Sequence, residues 1–481
     1  MRRWIFLLSA GLSLGMAMAT GPAMGQSAGA GRSVLLLSDV HLNPFPTTQQ
    51  CQTGSGKEAF ARLAGKPAMQ WRPEDFSFES GPNGYGEDTN EALFESALSA
   101  MQQAVPKPQV IVAPGDFLAH GFRGLWRACQ SSGVEDEAAY RDFTAKTIEF
   151  VVLRLAAKFP HAQIVPVLGN NDSDRGDYAV PSEEWLRLLS KELPGITGNQ
   201  GKTADWSHFA TGGYYSTRLR DFPGVEVLTL NSVLWSPKCK SEASADCTRD
   251  GVAELAWMEA RMKAARARGG SIVVTGHIPP GINGFETLHS QGGKIVMMYE
   301  DCGEAGAAKS CVDFGHKVPA LLAEYSDVIR AGIFGHTHMN EFRVAGKGRK
   351  SVAIQVVPSV TPIYLNNPSF LVARVSPEFS IEDYQAWRLS FGGSAAGSGW
   401  AKEYDFKETY GAGGLSGAHM QQVAEELMKE PELRKKYFQY LVSESALISA
   451  PKGMQSEYLC ILTNLTPEAA LPCVMPEMGL P

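Results

Sequence analysis

No Cys-x-x-Cys pair occurs among the eight cysteines of this 481-residue chain, which argues against a thiolate zinc module. Positive charge is not in excess. The 44 Lys and Arg face 51 Asp and Glu, a net charge of −7, so the chain lacks the electrostatic footprint of a stable nucleic-acid binder. Beyond the N-terminus no apolar run reaches the roughly 20 residues needed to cross a bilayer, so no transmembrane anchor is expected in the mature chain. No internal repeat is visible. What these absences leave is a globular chain. Its 44% hydrophobic content is ordinary for a soluble protein and sufficient for a sizeable core. The length points to one large domain with an appendage.

The N-terminus itself reads as a secretory signal. Arg2 and Arg3 precede a mostly apolar stretch from Trp4 to Ala19, and Ala17-Met18-Ala19 or Ala23-Met24-Gly25 offers a small-x-small cleavage site. Gly21-Pro22 follow too soon for a membrane anchor. Residues 1–25 are therefore expected to be a signal peptide, placing the mature protein in a secreted or periplasmic setting. In an oxidising compartment an even number of cysteines reads as disulfides. Spacing suggests Cys239–Cys247, Cys302–Cys311 and Cys460–Cys473, which leaves Cys51 and Cys129 to each other. Asn464-Leu465-Thr466 is a glycosylation sequon, meaningful in a eukaryotic host.

Short apolar runs recur after a Gly/Ala/Ser stretch at 26–31. They lie at 34–37, 110–112, 164–168, 225–230, 272–274 and 328–334, with further strand candidates at 352–357 and 370–375. Helical patterns fall between them, most clearly at 91–103, 138–158 and 252–268. Strands alternating with helices predict an α/β layered architecture. Residues 47–90 read as a long loop, and the run from Gly392 to Gly399 as a flexible linker. Helical patterns at 419–429 and 432–443 then predict a small helical C-terminal subdomain over 393–481, after a catalytic domain over 26–392.

Five motifs follow strand candidates: Asp39-Val40-His41, Gly115-Asp116, Gly169-Asn170-Asn171-Asp172, Gly276-His277 and Gly335-His336-Thr337-His338. Ligands of α/β sheets bind at the carboxyl ends of strands, so the five can converge. Asp39, His41, Asp116, Asn170, His277, His336 and His338 make a donor set of imidazole, carboxylate and amide, which suits zinc first, with manganese or iron as alternatives. Seven side chains are too many for one four-coordinate ion. With one bridging carboxylate they serve two divalent metal ions, an arrangement that clamps the attacking and leaving oxygens of an in-line phosphoryl displacement. Singly, each motif is a weak signal, and a lone histidine after a strand is usually a packed residue. In this order, each on a strand end, they are specific.

This order resembles the signature of calcineurin-like metallophosphoesterases. Asp116 to His120 fits a Gly-Asp-x-x-x-His pattern. The stretches from Gly276 to Gly281 and from Phe334 to Phe342 resemble acid sphingomyelinase-like phosphodiesterases, as do Pro358-Ser359-Val360-Thr361 and Asn367-Pro368. Trp400, Glu403-Tyr404, Tyr410-Gly411 and the Cys460/Cys473 pair extend the likeness to about Cys473. The resemblance implies a four-layer α/β/β/α metallophosphoesterase sandwich. It also implies one metal held by Asp39, His41, Asp116 and His338, and another by Asp116, Asn170, His277 and His336, with Asp116 as the bridge. His120 and Asn171 are the catalytic candidates beside the metals.

Two departures stand out. The family usually carries Gly-Asn-His-Asp/Glu, and Asn171 replaces that histidine; an amide can bond a phosphoryl oxygen but cannot act as a general acid. Glu87 precedes Asp88 where the family commonly has a cysteine, so the usual local disulfide is missing. Of the other histidines, His161, His208, His316 and His419 read as surface or structural residues, and His289, in a Gly-rich loop after His277, is the one exception to watch. The expected activity is hydrolysis of phosphodiester or phosphoanhydride bonds in a nucleotide, a phospholipid head group or another phosphorylated small molecule. Gly-Asn-Asn-Asp also resembles the motif of endopolyphosphatases, so polyphosphate is the alternative substrate. A non-catalytic binding protein is the remaining reading, weakened by the retention of all seven ligand candidates.

Overall fold

The computed structural model describes residues 31–52, 54–130, 136–241, 246–289, 294–302, 311–391, 399–448 and 455–474. The expected signal segment lies outside these residues, as does all but the last residue of the expected Gly/Ser linker. Among the described residues thirteen strands occur in the order β1 (Arg32–Leu36), β2 (Val110–Ala113), β3 (Gln163–Pro166), β4 (Ala204–Asp205), β5 (Tyr215–Arg218), β6 (Val225–Thr229), β7 (Ser271–Thr275), β8 (Ile329–Phe334), β9 (Glu341–Lys347), β10 (Lys350–Val356), β11 (Ser369–Val375), β12 (Ile381–Ser390) and β13 (Gly399–Asp405). They form a six-stranded sheet in the order β13-β12-β11-β1-β2-β3 and a seven-stranded sheet in the order β4-β5-β6-β7-β8-β10-β9. Within them β1, β2 and β3 run parallel, as do β6, β7 and β8.

The layering follows from side-chain alternation along each strand. Val34, Leu36, Val110, Val112 and Val165 of the first sheet pack with Val225, Val227, Val273, Ala331 and Ile333 of the second. The opposite face of the first sheet turns Leu35, Ile111 and Ile164 to Phe94, Leu98, Ile148 and Val151 of the helices Glu91–Ala104 and Glu137–Lys158. The outer face of the second turns Leu228, Ile272 and Val274 to Met258, Met262 and Leu322 of Cys247–Ala267 and Phe314–Glu324. The result is the expected α/β/β/α sandwich.

Helices Gly417–Lys429, Pro431–Leu441, Gln455–Thr463 and Pro467–Val474 form the C-terminal helical part. Val423, Leu427, Phe438, Leu459 and Leu462 share the core that lies between the sheets. The boundary expected at 392/393 falls between β12 and β13, which pair antiparallel.

One expectation is corrected. Residues 47–90 are not a plain loop, because helices Thr48–Gln52 and Gly54–Gly65 and two short 3₁₀ turns occupy much of it. The flanking glycines and prolines hid an amphipathic segment that buries Phe60 and Leu63 against the first helical layer.

Disulfides join Cys51–Cys129, Cys239–Cys247, Cys302–Cys311 and Cys460–Cys473, the four expected pairs. The first spans 78 residues, a loop whose closure removes on the order of 4 kcal/mol of unfolded-chain freedom. Thiol titration of denatured, unreduced protein should therefore find no free thiol; eight titratable thiols would overturn the pairing. Among the described residues no helix is long and apolar enough to cross a membrane.

Candidate metal centre

All five motifs leave the carboxyl ends of parallel strands, and the loops they start are laced together. Asp39 N–H donates to the Gly115 carbonyl at 3.0 Å and His41 N–H to the Asp116 carbonyl at 2.9 Å, joining the loops after β1 and β2. Gly335 N–H donates to the His277 carbonyl at 2.9 Å, joining those after β7 and β8. Two further bonds cross between the sheets. His336 N–H donates to Asp39 Oδ2 at 3.0 Å, and His277 Nδ1 lies 2.6 Å from the Pro114 carbonyl.

Five of the seven ligand candidates have left-handed backbones: Asp39 (φ 50°), His41 (45°), Asp116 (55°), His336 (77°) and His338 (62°). Such conformations cost about 1–3 kcal/mol each in a non-glycine residue and persist where the surroundings over-determine them, typically at functional sites. Close approach adds a constraint at Gly169. A Cβ there would sit 2.1 Å from Asp116 Oδ1, so only glycine lets the loop after β3 reach that carboxylate.

The donor atoms converge on Asp116. Its Oδ2 lies 3.4 Å from His41 Nε2 and 3.2 Å from His277 Nε2, so it stands between two imidazoles from opposite sheets. Asp39 Oδ1 is 3.3 Å from His338 Nε2, and Asn170 Oδ1 is 3.1 Å from His277 Nε2. Donor atoms of Asp116, His277 and His336 lie within 4.8 Å of one another, as do those of Asp39, His41 and Asp116. A carbonyl only accepts, so Leu118 O at 2.9 Å from His41 Nδ1 and Pro114 O near His277 Nδ1 each fix a ring proton on Nδ1. Each Nε2 is thereby turned toward the carboxylates, the arrangement of a metal-ligating histidine with its outer hydrogen bond made. His41 Nε2 and His338 Nδ1 are buried without a hydrogen-bond partner. Orphaned buried nitrogens, hard and borderline donors and strained backbone together fit a pair of divalent cations.

Electrostatics agree. Burial disfavours the charged rings of His41 and His277, yet the Asp116 carboxylate outweighs it and holds both up at about 9. Burial, reinforced by the His277 charge, pushes His336 down to about 3, and burial does the same to His338 against the pull of Asp39. Asp116 is held well below the ordinary carboxylate range: burial opposes this, but His277 and His41 prevail. The Asp116 carboxylate thus keeps its charge and draws positive charge toward it.

His120 also arrives here. Its ring stacks on His41 with centroids 4.0 Å apart, and its Nδ1 lies 2.9 Å from Asp88 Oδ1. The Tyr364 hydroxyl is 3.3 Å from His120 Nε2. Asn171 spends both its amides on the bridge candidate, donating from backbone N and from Nδ2 to Asp116, each at 2.8 Å. His289 is not brought into these groups; its Nδ1 faces the Phe285 carbonyl at 2.8 Å. His316 pairs with Asp313 and Glu468, and His419 with the Gly414 and Tyr410 carbonyls.

Sequence reasoning missed several participants. Asp88, noted in the sequence only for the residue before it, orients His120 from 32 residues away. Tyr178 places its hydroxyl 3.3 Å from His336 Nε2. Asp172 stood inside a recognised motif without a role. Its carboxylate accepts N–H groups of Phe117, Leu118 and Gly169, tying the loops after β2 and β3 around Asp116.

Comparison with known proteins agrees with this geometry. Residues 32–340 match the family model of calcineurin-like phosphoesterases. The chain is 26% identical over 337 residues to sphingomyelinase phosphodiesterase D of Dictyostelium discoideum, covering 68% of this chain and 66% of that protein, slightly under two thirds of its length. It is 23% identical over 422 residues to acid sphingomyelinase-like phosphodiesterase 3b of Homo sapiens, covering 82% of both. With a cyclic GMP-AMP phosphodiesterase of Bos taurus it shares 22% identity over 480 residues, covering 95% of this chain and 92% of that one. The chain belongs to the calcineurin-like phosphoesterase family, a family of metal-dependent phosphoester hydrolases.

Proposed function

We propose that this protein is an exported two-metal hydrolase of phosphodiester or phosphoanhydride bonds, acting on nucleotides or phospholipid head groups. The observation that carries the reading is the placement of Asp116 Oδ2 between His41 Nε2 and His277 Nε2, at 3.4 and 3.2 Å, with each outer ring nitrogen already engaged by a backbone carbonyl. Asp39, His41, Asp116 and His338 would hold one ion, and Asp116, Asn170, His277 and His336 the other. When bound, such a pair neutralises phosphoryl charge and orients the attacking and leaving oxygens. The chain's own residues do the rest. Asn171 and Asp172 hold Asp116 and its loop in place. Asp88 orients His120, whose Nε2, beside the Tyr364 hydroxyl, would meet a phosphoryl or leaving-group oxygen by exchanging that contact. Tyr178 stands beside His336 and the half-exposed Tyr364 beside His120.

The export reading rests on the basic, apolar, small-residue N-terminus and on four disulfides, which persist in oxidising compartments. Anhydride substrates, polyphosphate included, are favoured by Asn171, which supplies no proton to an alkoxide leaving group.

The test is a substrate screen before and after chelation. Protein reconstituted with zinc, manganese or iron should hydrolyse diesters, nucleoside triphosphates or polyphosphate, and chelation should abolish this reversibly. Undiminished hydrolysis by protein shown to be free of metal would reject the two-metal reading. Hydrolysis of none of these substrates by protein carrying two ions would reject the substrate assignment.

A further inference from the structure

The loops carrying His277 and His336–His338 meet again behind the site, in a buried polar junction. β9 begins at Glu341, three residues past His338. Glu341 and Arg343 sit on one face of that strand, 2% and 1% exposed. Arg343 Nε binds a Glu341 carboxylate oxygen, and Arg343 Nη1 donates to the Pro280 carbonyl at 2.8 Å, three residues beyond His277. The other Glu341 oxygen accepts the hydroxyl of Tyr458, which lies 117 residues away in the C-terminal helix Gln455–Thr463. That helix also presses on the chain beyond His277, where a Cβ on Gly284 would lie 2.6 Å from Ile461 Cδ1 and 2.8 Å from the Tyr458 ring. On the other loop, Asn340 N–H donates to the Leu441 carbonyl at 2.9 Å, and Asn340 Nδ2 to the Tyr404 hydroxyl at 2.9 Å.

A buried ion pair is a poor way to hold a helix in place. Its desolvation offsets most of its attraction, and well-packed apolar side chains would hold as firmly. What the guanidinium fork adds is direction, because it fixes the Pro280 carbonyl at a set distance and angle from the start of β9.

We infer that Tyr458, Glu341 and Arg343 are positioning residues that set the spacing between the His277 loop and the His336–His338 loop. The C-terminal helix is thereby part of the catalytic unit. None of the three touches the ligand cluster; they act through the backbone. The inference rests on the metal-centre reading above.

The test compares wild type, Tyr458→Phe, Arg343→Lys and Arg343→Met. Each is stripped by chelation, titrated with Zn²⁺ by calorimetry, and followed by thermal melting and steady-state kinetics. Altered outer contacts of a metal site typically cost about 10–100-fold in affinity or activity. Tyr458→Phe removes one hydroxyl from an unchanged ring and should fold. It should weaken zinc binding about tenfold and lower kcat with little change in KM, at temperatures well below its Tm. Arg343→Lys should recover part of what Arg343→Met loses. Zinc affinity and kcat within about twofold of wild type in Tyr458→Phe, with only Tm reduced, would make the junction purely structural and overturn the inference. Failure of the wild type to bind zinc would overturn the metal-centre reading and this inference with it.

Discussion

Asp116→Asn is expected to lose most bound metal and to lower kcat/KM by about 10³-fold or more. A bound pair of ions would supply several kcal/mol of charge stabilisation to the transition state, and each ~1.4 kcal/mol is a tenfold change in rate. Asp116 faces both halves of the site most closely, through an Oδ2 that lies 3.4 Å from one imidazole and 3.2 Å from the other, against 3.8 and 3.9 Å for Asp39 Oδ1. The substitution keeps shape and removes the charge. It also places an NH₂ group where one of two Asn171 donors now meets a carboxylate oxygen, each at 2.8 Å. Donor would then face donor inside a buried site, so the new amide cannot rest in the old position without losing a hydrogen bond. Elemental analysis and kcat/KM decide the matter. Two ions per chain with near-normal turnover would refute the bridging assignment and the dinuclear centre with it.

His120→Ala is expected to separate substrates by their leaving groups. Expelling an alkoxide, as in sphingomyelin cleavage, needs a proton in the transition state, and a positioned general acid contributes about 10²–10⁴-fold to such steps. A departing phosphate or nucleoside diphosphate is already a stable anion. With Asn171 in place of the family's histidine, and committed to Asp116, His120 is the imidazole left for the task. Its geometry suits it: Nδ1 is held by Asp88 at 2.9 Å, and the ring lies against His41 with Nε2 beside the Tyr364 hydroxyl. The variant should lose about 10²-fold or more on sphingomyelin and less than about tenfold on a nucleoside triphosphate. Wild type should in turn prefer anhydrides and activated esters over unactivated lipid diesters. Equal losses on both substrates would make His120 a phosphate-positioning residue. Wild-type turnover of sphingomyelin above that of the nucleotide would reject the leaving-group argument. Either result leaves the metal assignment standing.

Much of the centre could be read from the sequence because its parts are local. A strand written as a short apolar run, a small residue to turn, then a ligand: that grammar occurs five times, and β1, β2, β3, β7 and β8 end where the runs end, within one or two residues. Disulfides were legible for a related reason, since three of the four pairs close loops with separations of only 8, 9 and 13 residues. Where local patterning was poor, the reading failed. In 47–90, turn-forming residues outweighed a short amphipathic helix whose stability comes from burying Phe60 and Leu63 rather than from its own propensity.

By itself the sequence determined the ligand types, their order and the alternation that sorts each strand's side chains between an inter-sheet core and a helical layer. These depend on backbone periodicity and on chemistry within a few residues. Only the tertiary structure decided that Asp88 would orient His120, that Asn171 would hold Asp116, and that Tyr458 would close a buried junction on Glu341. Those partners lie 32, 55 and 117 residues apart, and nothing short of the packed sheets and helices brings them together. The left-handed backbones at Asp39, His41, Asp116, His336 and His338 belong to the same class. None of these residues favours that conformation alone, and each is held in it by hydrogen bonds and packing that the assembled fold supplies.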